Sequence, residues 1–196
     1  MSQQPKHRPQ SRQVRIIAGQ WRGRRLNFPD TAGLRPTGDR VRETLFNWLM
    51  PELPGARCLD LFAGSGALGF EAASRLAASV IMVEKNHQAC RALQQHCENL
   101  SASTVDVVCE DALTWLNQNR FSAQSFDIVF LDPPFKSALL AQALQSLEYG
   151  NWLTPHTLIY TESENGQQPT CFTSENWELY RQRVFGAVDF RLYRRR

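Results

Sequence analysis

The residues whose types and spacing suit chemistry fall into a few short stretches. Cys58 to Ala72, CLDLFAGSGALGFEA, passes from an apolar run through Asp60 and Phe62 into a loop with Gly64, Gly66 and Gly69. That spacing is G-x-G-x-x-G, which lets a backbone close on a nucleotide-type cofactor. A tight strand-to-helix turn without a ligand uses the same letters. Glu84 ends a second apolar run, Glu110-Asp111-Ala112 ends a third, and Asp132-Pro133-Pro134-Phe135 ends a fourth. An acid in the position of Glu84 can accept both hydroxyls of a ribose. The two prolines hold their loop stiff and donate no hydrogen bonds, leaving the Asp132 carboxylate and a main-chain carbonyl, that of Pro133, as acceptors. Two acceptors gripping the N–H groups of a planar exocyclic base amine would turn its lone pair toward a methyl donor. Phe135 could stack on the face of an extruded base. Taken singly, Glu84 is also a surface acid, Asp111 a helix cap and D-P-P a turn beside a core phenylalanine.

The elements that must position these residues alternate. Strands are expected over 57–63, 79–84, 106–109, 126–131 and 157–161, with helices over 67–77, from Asn86 to about Leu100, from Ala112 through Leu116, and after Phe135. FDIVFL (126–131) is nearly continuous in apolar residues, as a central strand buried on both faces would be. Trp177–Phe185 and Val188–Arg194, around Gly186-Ala187, read as an antiparallel hairpin. Repeated βαβ units closed by such a pair imply a three-layer α/β sheet. In an open parallel sheet ligands sit beyond the carboxyl ends of the strands, which is where all four stretches fall.

Ahead of this unit, residues 1–13 are rich in Gln, Pro and Arg and read as a disordered basic arm. Val14 to Phe28 reads as a small hairpin turning at Ala18-Gly19 and carrying Arg15, Arg22, Arg24 and Arg25. Gly23 inside its second strand suggests a bulge or a close backbone approach. A helix is expected over Arg40–Met50, capped by Thr37 or Asp39, with Arg35 and Arg40 crowded at its start. The division is therefore 1–13 arm, 14–56 extension and 57–196 α/β domain.

Composition sets the class. The 196 residues suit one domain, and no apolar run approaches membrane-spanning length. The basic N-terminal stretch has no secretory signal. The five cysteines (58, 90, 97, 109, 171) are odd in number and lack C-x-x-C spacing. Reduced thiols in a cytoplasmic protein and no metal site are expected. The net charge of +3 hides an asymmetry. Residues 1–57 hold eleven Lys/Arg against four Asp/Glu, 58–174 hold five against twelve, and 175–196 hold six against three. Basic ends suit a polyanionic partner such as nucleic acid, though solvated charged surfaces look the same.

The Asp-x-Phe-x-Gly-x-Gly loop, the acid after the second strand and D-P-P-F together resemble the class I S-adenosylmethionine-dependent methyltransferases. D-P-P-F is the form found in enzymes acting on amino groups of nucleic-acid bases. The strings Arg15-Ile-Ile-Ala-Gly-x-x-Arg-Gly-Arg-Arg-Leu and Arg35-Pro-Thr-x-Asp-Arg-Val-Arg-Glu-x-Leu-Phe-Asn are similar to those of the bacterial 16S ribosomal RNA guanine-N2 methyltransferases. The resemblance spans about Val14 to Tyr193. It implies a Rossmann-like fold with a mostly parallel seven-stranded sheet, S-adenosylmethionine as cofactor, and 16S rRNA in the 30S ribosomal subunit as partner of a monomeric enzyme. It implies that Gly64 and Gly66 line the methionine end of the cofactor, with Asp60 near its amino group and Phe62 also among the cofactor-binding residues. Glu84 would hold the ribose, Asp111 beside Ala112 would face the adenine, and Asp132, Pro133, Pro134 and Phe135 would receive the guanine. RNA would meet Arg15, Arg22, Arg24, Arg25, Arg35 and Arg40. Asn165 to Ser174 shows little helical periodicity, a departure from the superfamily pattern. An adenine-N6 DNA methyltransferase, a NAD-dependent dehydrogenase built on the glycines and a non-catalytic RNA-binding protein remain the alternatives.

Overall fold

The computed structural model describes residues 11–29, 37–119, 125–134, 138–164 and 169–196. In chain order the elements are β1 (Ser11–Arg15), β2 (Arg25–Pro29), α1 (Asp39–Leu49), β3 (Arg57–Asp60), α2 (Ala67–Ser74), β4 (Ser79–Glu84) and α3 (His87–Leu100). There follow β5 (Val105–Cys109), α4 (Ala112–Gln118), β6 (Phe126–Leu131), α5 (Leu139–Tyr149), β7 (Leu153–Glu164), β8 (Trp177–Phe185) and β9 (Val188–Arg195).

Seven strands form one sheet in the order β5-β4-β3-β6-β7-β9-β8, and β1 and β2 pair separately. The first five strands of that order run parallel, while β9 is antiparallel to both β7 and β8. The sheet is covered on both faces, as a parallel sheet must be. One apolar cluster joins α1, α2, α3 and the β1–β2 hairpin to Cys58, Val80, Ile128, Phe130, Tyr160 and Phe190. The other joins α4 and α5 to Leu59, Val83, Val129, Leu131 and Ile159. This is the expected three-layer, Rossmann-like α/β/α architecture of class I methyltransferases.

Gly69 lets α2 lie against the sheet: a Cβ there would meet Met82 Sδ at 2.5 Å. Asn86 caps α3 as expected, accepting from the amides of Gln88 and Ala89. Strand β7, between β6 and β9, is longer than the expected 157–161. Its extra first residues pair Leu153 with Phe126, and Thr157 Oγ1 donates to the Phe126 carbonyl to hold the irregularity in register. Two of the cysteines expected to be reduced, Cys90 and Cys109, are joined in a disulfide with Cα atoms 5.8 Å apart. The first turn of α3 lies over the end of β5, and that separation is within bridging range.

The N-terminal extension departs from its expected form in detail. The first strand opens at Ser11, and the second begins only at Arg25, because residues 19–23 form successive turns. Gly23 has nothing within 4 Å of a Cβ, so it serves a turn, its amide donating to the Ile16 carbonyl. The close approach is at Gly19, where a Cβ would lie 1.9 Å from the Ser74 carbonyl and φ is +81°. Val14, Ile16, Leu26 and Phe28 are buried, while Arg15, Arg22, Arg24 and Arg25 are exposed. The hairpin thus has one packed side and one arginine-lined side. Neither Thr37 nor Asp39 caps α1; the cap position is Gly38, with no side-chain bond. Residues 1–10 of the expected arm and Arg35 lie outside the described residues.

Candidate active site

The carboxyl ends of β3, β4, β5 and β6 meet along one edge of the sheet, and the singled-out residues gather there. The glycine loop turns tightly after Leu61, with the Gly66 amide donating to Ala63 O at 2.7 Å. Gly66 is the cap of α2 at φ +75°, ψ +12°, a left-handed conformation that a side chain would strain. A Cβ on Gly66 would also strike Leu93 and Phe70, so this glycine is required by packing as well as by the turn. Phe62 is half-buried against the α4–α5 side of the sheet.

Glu84 is set by two main-chain donors: Gly64 N to Oε2 at 2.8 Å and Asn86 N to Oε1 at 2.7 Å. Its carboxylate therefore sits against the glycine loop, ready to accept hydroxyls from a ligand lying over that loop. Asp60 is turned the other way. It is buried beneath α2, with Gly69 N donating to Oδ2 at 2.9 Å. Burial pushes its pKa up to about 7; the Gly69 bond works against that shift and the nearby Glu84 charge adds to it. Asp111 caps α4, accepting from Leu113 N and Thr114 N on Oδ1 while remaining exposed, and Ala112 is buried behind it.

Asp132 lies next to this group at the end of β6, followed by buried Pro133 and exposed Pro134. Phe135 lies outside the described residues. Thr37 Oγ1 reaches Asp132 Oδ2 at 3.5 Å, at the long limit of a hydrogen bond. Burial raises the Asp132 carboxyl well above the usual carboxylate range, the Glu162 and Asp60 charges push it further, and Thr37 draws it back. Glu162 is buried at the end of the neighbouring strand β7, its Oε1 accepting from the Tyr160 hydroxyl at 2.6 Å. Three acids, Asp60, Asp132 and Glu162, thus share one end of adjacent strands.

Sequence reasoning missed Glu162, although it ends an apolar strand just as Glu84 does. It also missed the support beneath the site. Arg42 (1 % exposed) and Glu71 (0 %) form a buried pair at 3.6 Å. Arg42 donates to the carbonyls of Thr37 and Arg15 and to Asp39 Oδ1. Glu71 accepts from the amides of Ile17 and Ala18 and from Arg75 Nε. One charged knot therefore holds the hairpin, the residue facing Asp132 and the helix that follows the glycine loop. The available signal was an acid inside α2, whose other residues are apolar or small.

The expected RNA-contacting arginines do not all lie near this edge. Arg15 approaches Asp39 at 3.8 Å and Arg40 is exposed in the first turn of α1, both near Thr37. Arg24 instead reaches Asn99 O at the far end of α3, and Gln20 and Trp21 bond Ser74 at the far end of α2. Arg22 and Arg24 therefore lie toward the amino ends of the sheet strands, whereas Arg25 pairs directly with Arg15.

The protein family described as Conserved hypothetical protein 95 matches residues 14–194. The chain belongs to this family. Among its relatives, the ribosomal RNA small subunit methyltransferase D of Escherichia coli K12 is 49% identical over 187 residues, covering 94% of this chain and 91% of the relative. The protein of the same name from Haemophilus influenzae is 47% identical over 183 residues, covering 92% and 93%. The solved structure of the Escherichia coli protein yhhF superposes with a TM-score of 0.84 at 48% identity, over 93% of this chain and 98% of that one. Both N-terminal strings and D-P-P-F fall within the matched span of the Conserved hypothetical protein 95 family.

Proposed function

We propose that the chain transfers a methyl group from S-adenosylmethionine to the exocyclic N2 amine of a guanine in 16S rRNA of the small ribosomal subunit. The observation that carries this reading is the juxtaposition of the glycine loop after β3, bonded to the ribose-suited acid Glu84 of β4, with the Asp-Pro-Pro loop after the adjacent strand β6. The names of relatives matched over nearly the whole chain support ribosomal RNA as the substrate class. The donor set suits this cofactor: Glu84 offers carboxylate oxygens to ribose hydroxyls, and Asp111 and Ala112 flank the place for the adenine. When bound, the cofactor's sulfonium supplies an electrophilic methyl.

The chain's own residues then position the acceptor. Asp132 and the Pro133 carbonyl accept the two N–H groups of the guanine amine, turn its lone pair toward the methyl and favour pyramidal nitrogen. Phe135 stacks on the base. Thr37 orients the Asp132 carboxylate. A charge-assisted hydrogen bond contributes about 1.5–3 kcal/mol. Alignment of the reacting atoms contributes about 7–11 kcal/mol, so positioning dominates. The hairpin arginines Arg15, Arg22, Arg24 and Arg25, with Arg35 and Arg40, add sequence-independent phosphate contacts.

Labelled-methyl transfer to 30S subunits, protein-free 16S rRNA and duplex DNA, followed by nucleoside analysis, tests this reading. N2-methylguanosine is expected in ribosomal RNA, with the rate falling about 10- to 100-fold in Asp132→Ala. Label found only in DNA, or on adenine, would overturn it.

A further inference from the structure

Strand β8 ends the sheet, so its outer backbone N–H and C=O groups face solvent. Arg181 and Arg183 are exposed on it. Among the described residues neither meets a carboxylate. Each instead lies over an aromatic ring: the Arg181 guanidinium is 4.0 Å from the Tyr180 centroid, and that of Arg183 is 4.9 Å from Phe185. Arg194 covers the same Tyr180 ring at 3.8 Å. Arg181 also donates from Nη1 to the Tyr180 carbonyl at 2.9 Å and from Nη2 to the Tyr180 hydroxyl at 3.3 Å; the remaining guanidinium N–H groups suit phosphate oxygens.

The register ties this surface to the acceptor site. Leu131 pairs with Thr161, so Asp132 and Glu162 stand side by side in the next row. Glu162 pairs with Phe190, and Phe190 pairs with Arg183. Arg183 is therefore in the row of Asp132, three strand spacings or about 14 Å away. Opposed residues of an antiparallel pair share a face, so Arg183 opposite Phe190 and Arg181 opposite Leu192 lie on the face that carries Phe130, Tyr160 and α1. By contrast, Arg24 reaches Asn99 O at the far end of α3.

We propose that β8, through Arg181 and Arg183, is a second RNA-contacting surface that holds phosphates flanking the target nucleotide. This rests on the reading of the site as a ribosomal RNA methyltransferase. Phosphate contacts on β8 would fix the register of the strand whose base enters beside Asp132.

The full-length protein, its Arg181→Ala/Arg183→Ala variant and its Arg181→Lys/Arg183→Lys variant are compared for 16S rRNA binding across salt concentrations. S-adenosylmethionine binding, kcat and KM for the RNA, and oligomeric state are measured alongside. The alanine variant is expected to raise KM about tenfold with kcat and cofactor affinity unchanged. Its slope of log K against log salt should fall by about 1.4–1.8, the loss of two phosphate contacts, and the lysine variant should restore the slope. Unchanged RNA affinity and slope in the alanine variant would overturn the proposal. Self-association at unchanged RNA affinity would also overturn it and assign the arginines to guarding an open strand edge. If the wild-type protein neither binds nor methylates ribosomal RNA, the proposed function falls and this inference falls with it; an active wild type beside an indifferent variant sinks this inference alone.

Discussion

In the proposed reaction Asp132 accepts one N–H of the amine, most strongly as a carboxylate, yet burial and the charges of Glu162 and Asp60 oppose its ionisation. The groups around it are Asp60 from β3, Tyr160 and Glu162 from β7, and Thr37 ahead of α1. The same crowding lifts the Tyr160 hydroxyl well above its ordinary value, through burial first and then the two acids. If the carboxylate is the active form, activity is lost as pH falls through the raised Asp132 pKa. Glu162→Gln removes one upward push, so the acidic limb of the kcat/KM profile should move to lower pH. A limb that stays in place would show that Glu162 does not act on Asp132. Asp132 itself was legible from its sequence context because prolines leave few other roles for an acid there. Glu162 was not read, since its meaning depends on which strand lies beside β6.

At the level of elements, the Arg42–Glu71 pair sets where α1 and the hairpin sit. Breaking a buried pair by removing one partner leaves an uncompensated charge, at a cost of about 3–5 kcal/mol. Arg42→Ala should lower unfolding free energy in denaturant by that order, while Arg42→Met with Glu71→Leu should recover part of it. A loss below about 1 kcal/mol in the single variant would place the pair among ordinary surface contacts. The strand and helix order was readable because apolar runs and glycine turns are local signals. Ends and caps were less so, because long-range partners decide them. Thr37 looked like a cap, but its hydroxyl is drawn to Asp132 and its carbonyl to Arg42; Asp39 likewise binds Arg42. The turns at 19–23 were hidden for a related reason: Gly19 is needed where α2 passes, and α2 lies far along the chain.

Across the whole molecule, basic ends flank an acidic middle, and the structure separates those ends in space. Arg24 of the hairpin reaches the end of α3, and the β8 arginines lie on the sheet face that carries α1, at the other side of the sheet. Replacing Arg22, Arg24 and Arg25 with Ala should weaken RNA binding more at low salt than at high salt, by equilibrium titration; an unchanged salt slope would make the hairpin purely structural. The same wide separation joins the two ends of the chain through the core. Trp48 of α1 stacks on Phe190 of β9, ring centroids 5.2 Å apart. During synthesis α1 emerges well before β9, the strand that completes its packing. Pairings so distant in sequence are slow to form, and until they form an apolar helix face stays open to water and to chaperones. Strand β9 finishes the core of helix α1, so synthesis through β9, rather than completion of the glycine loop, sets when this fold can close.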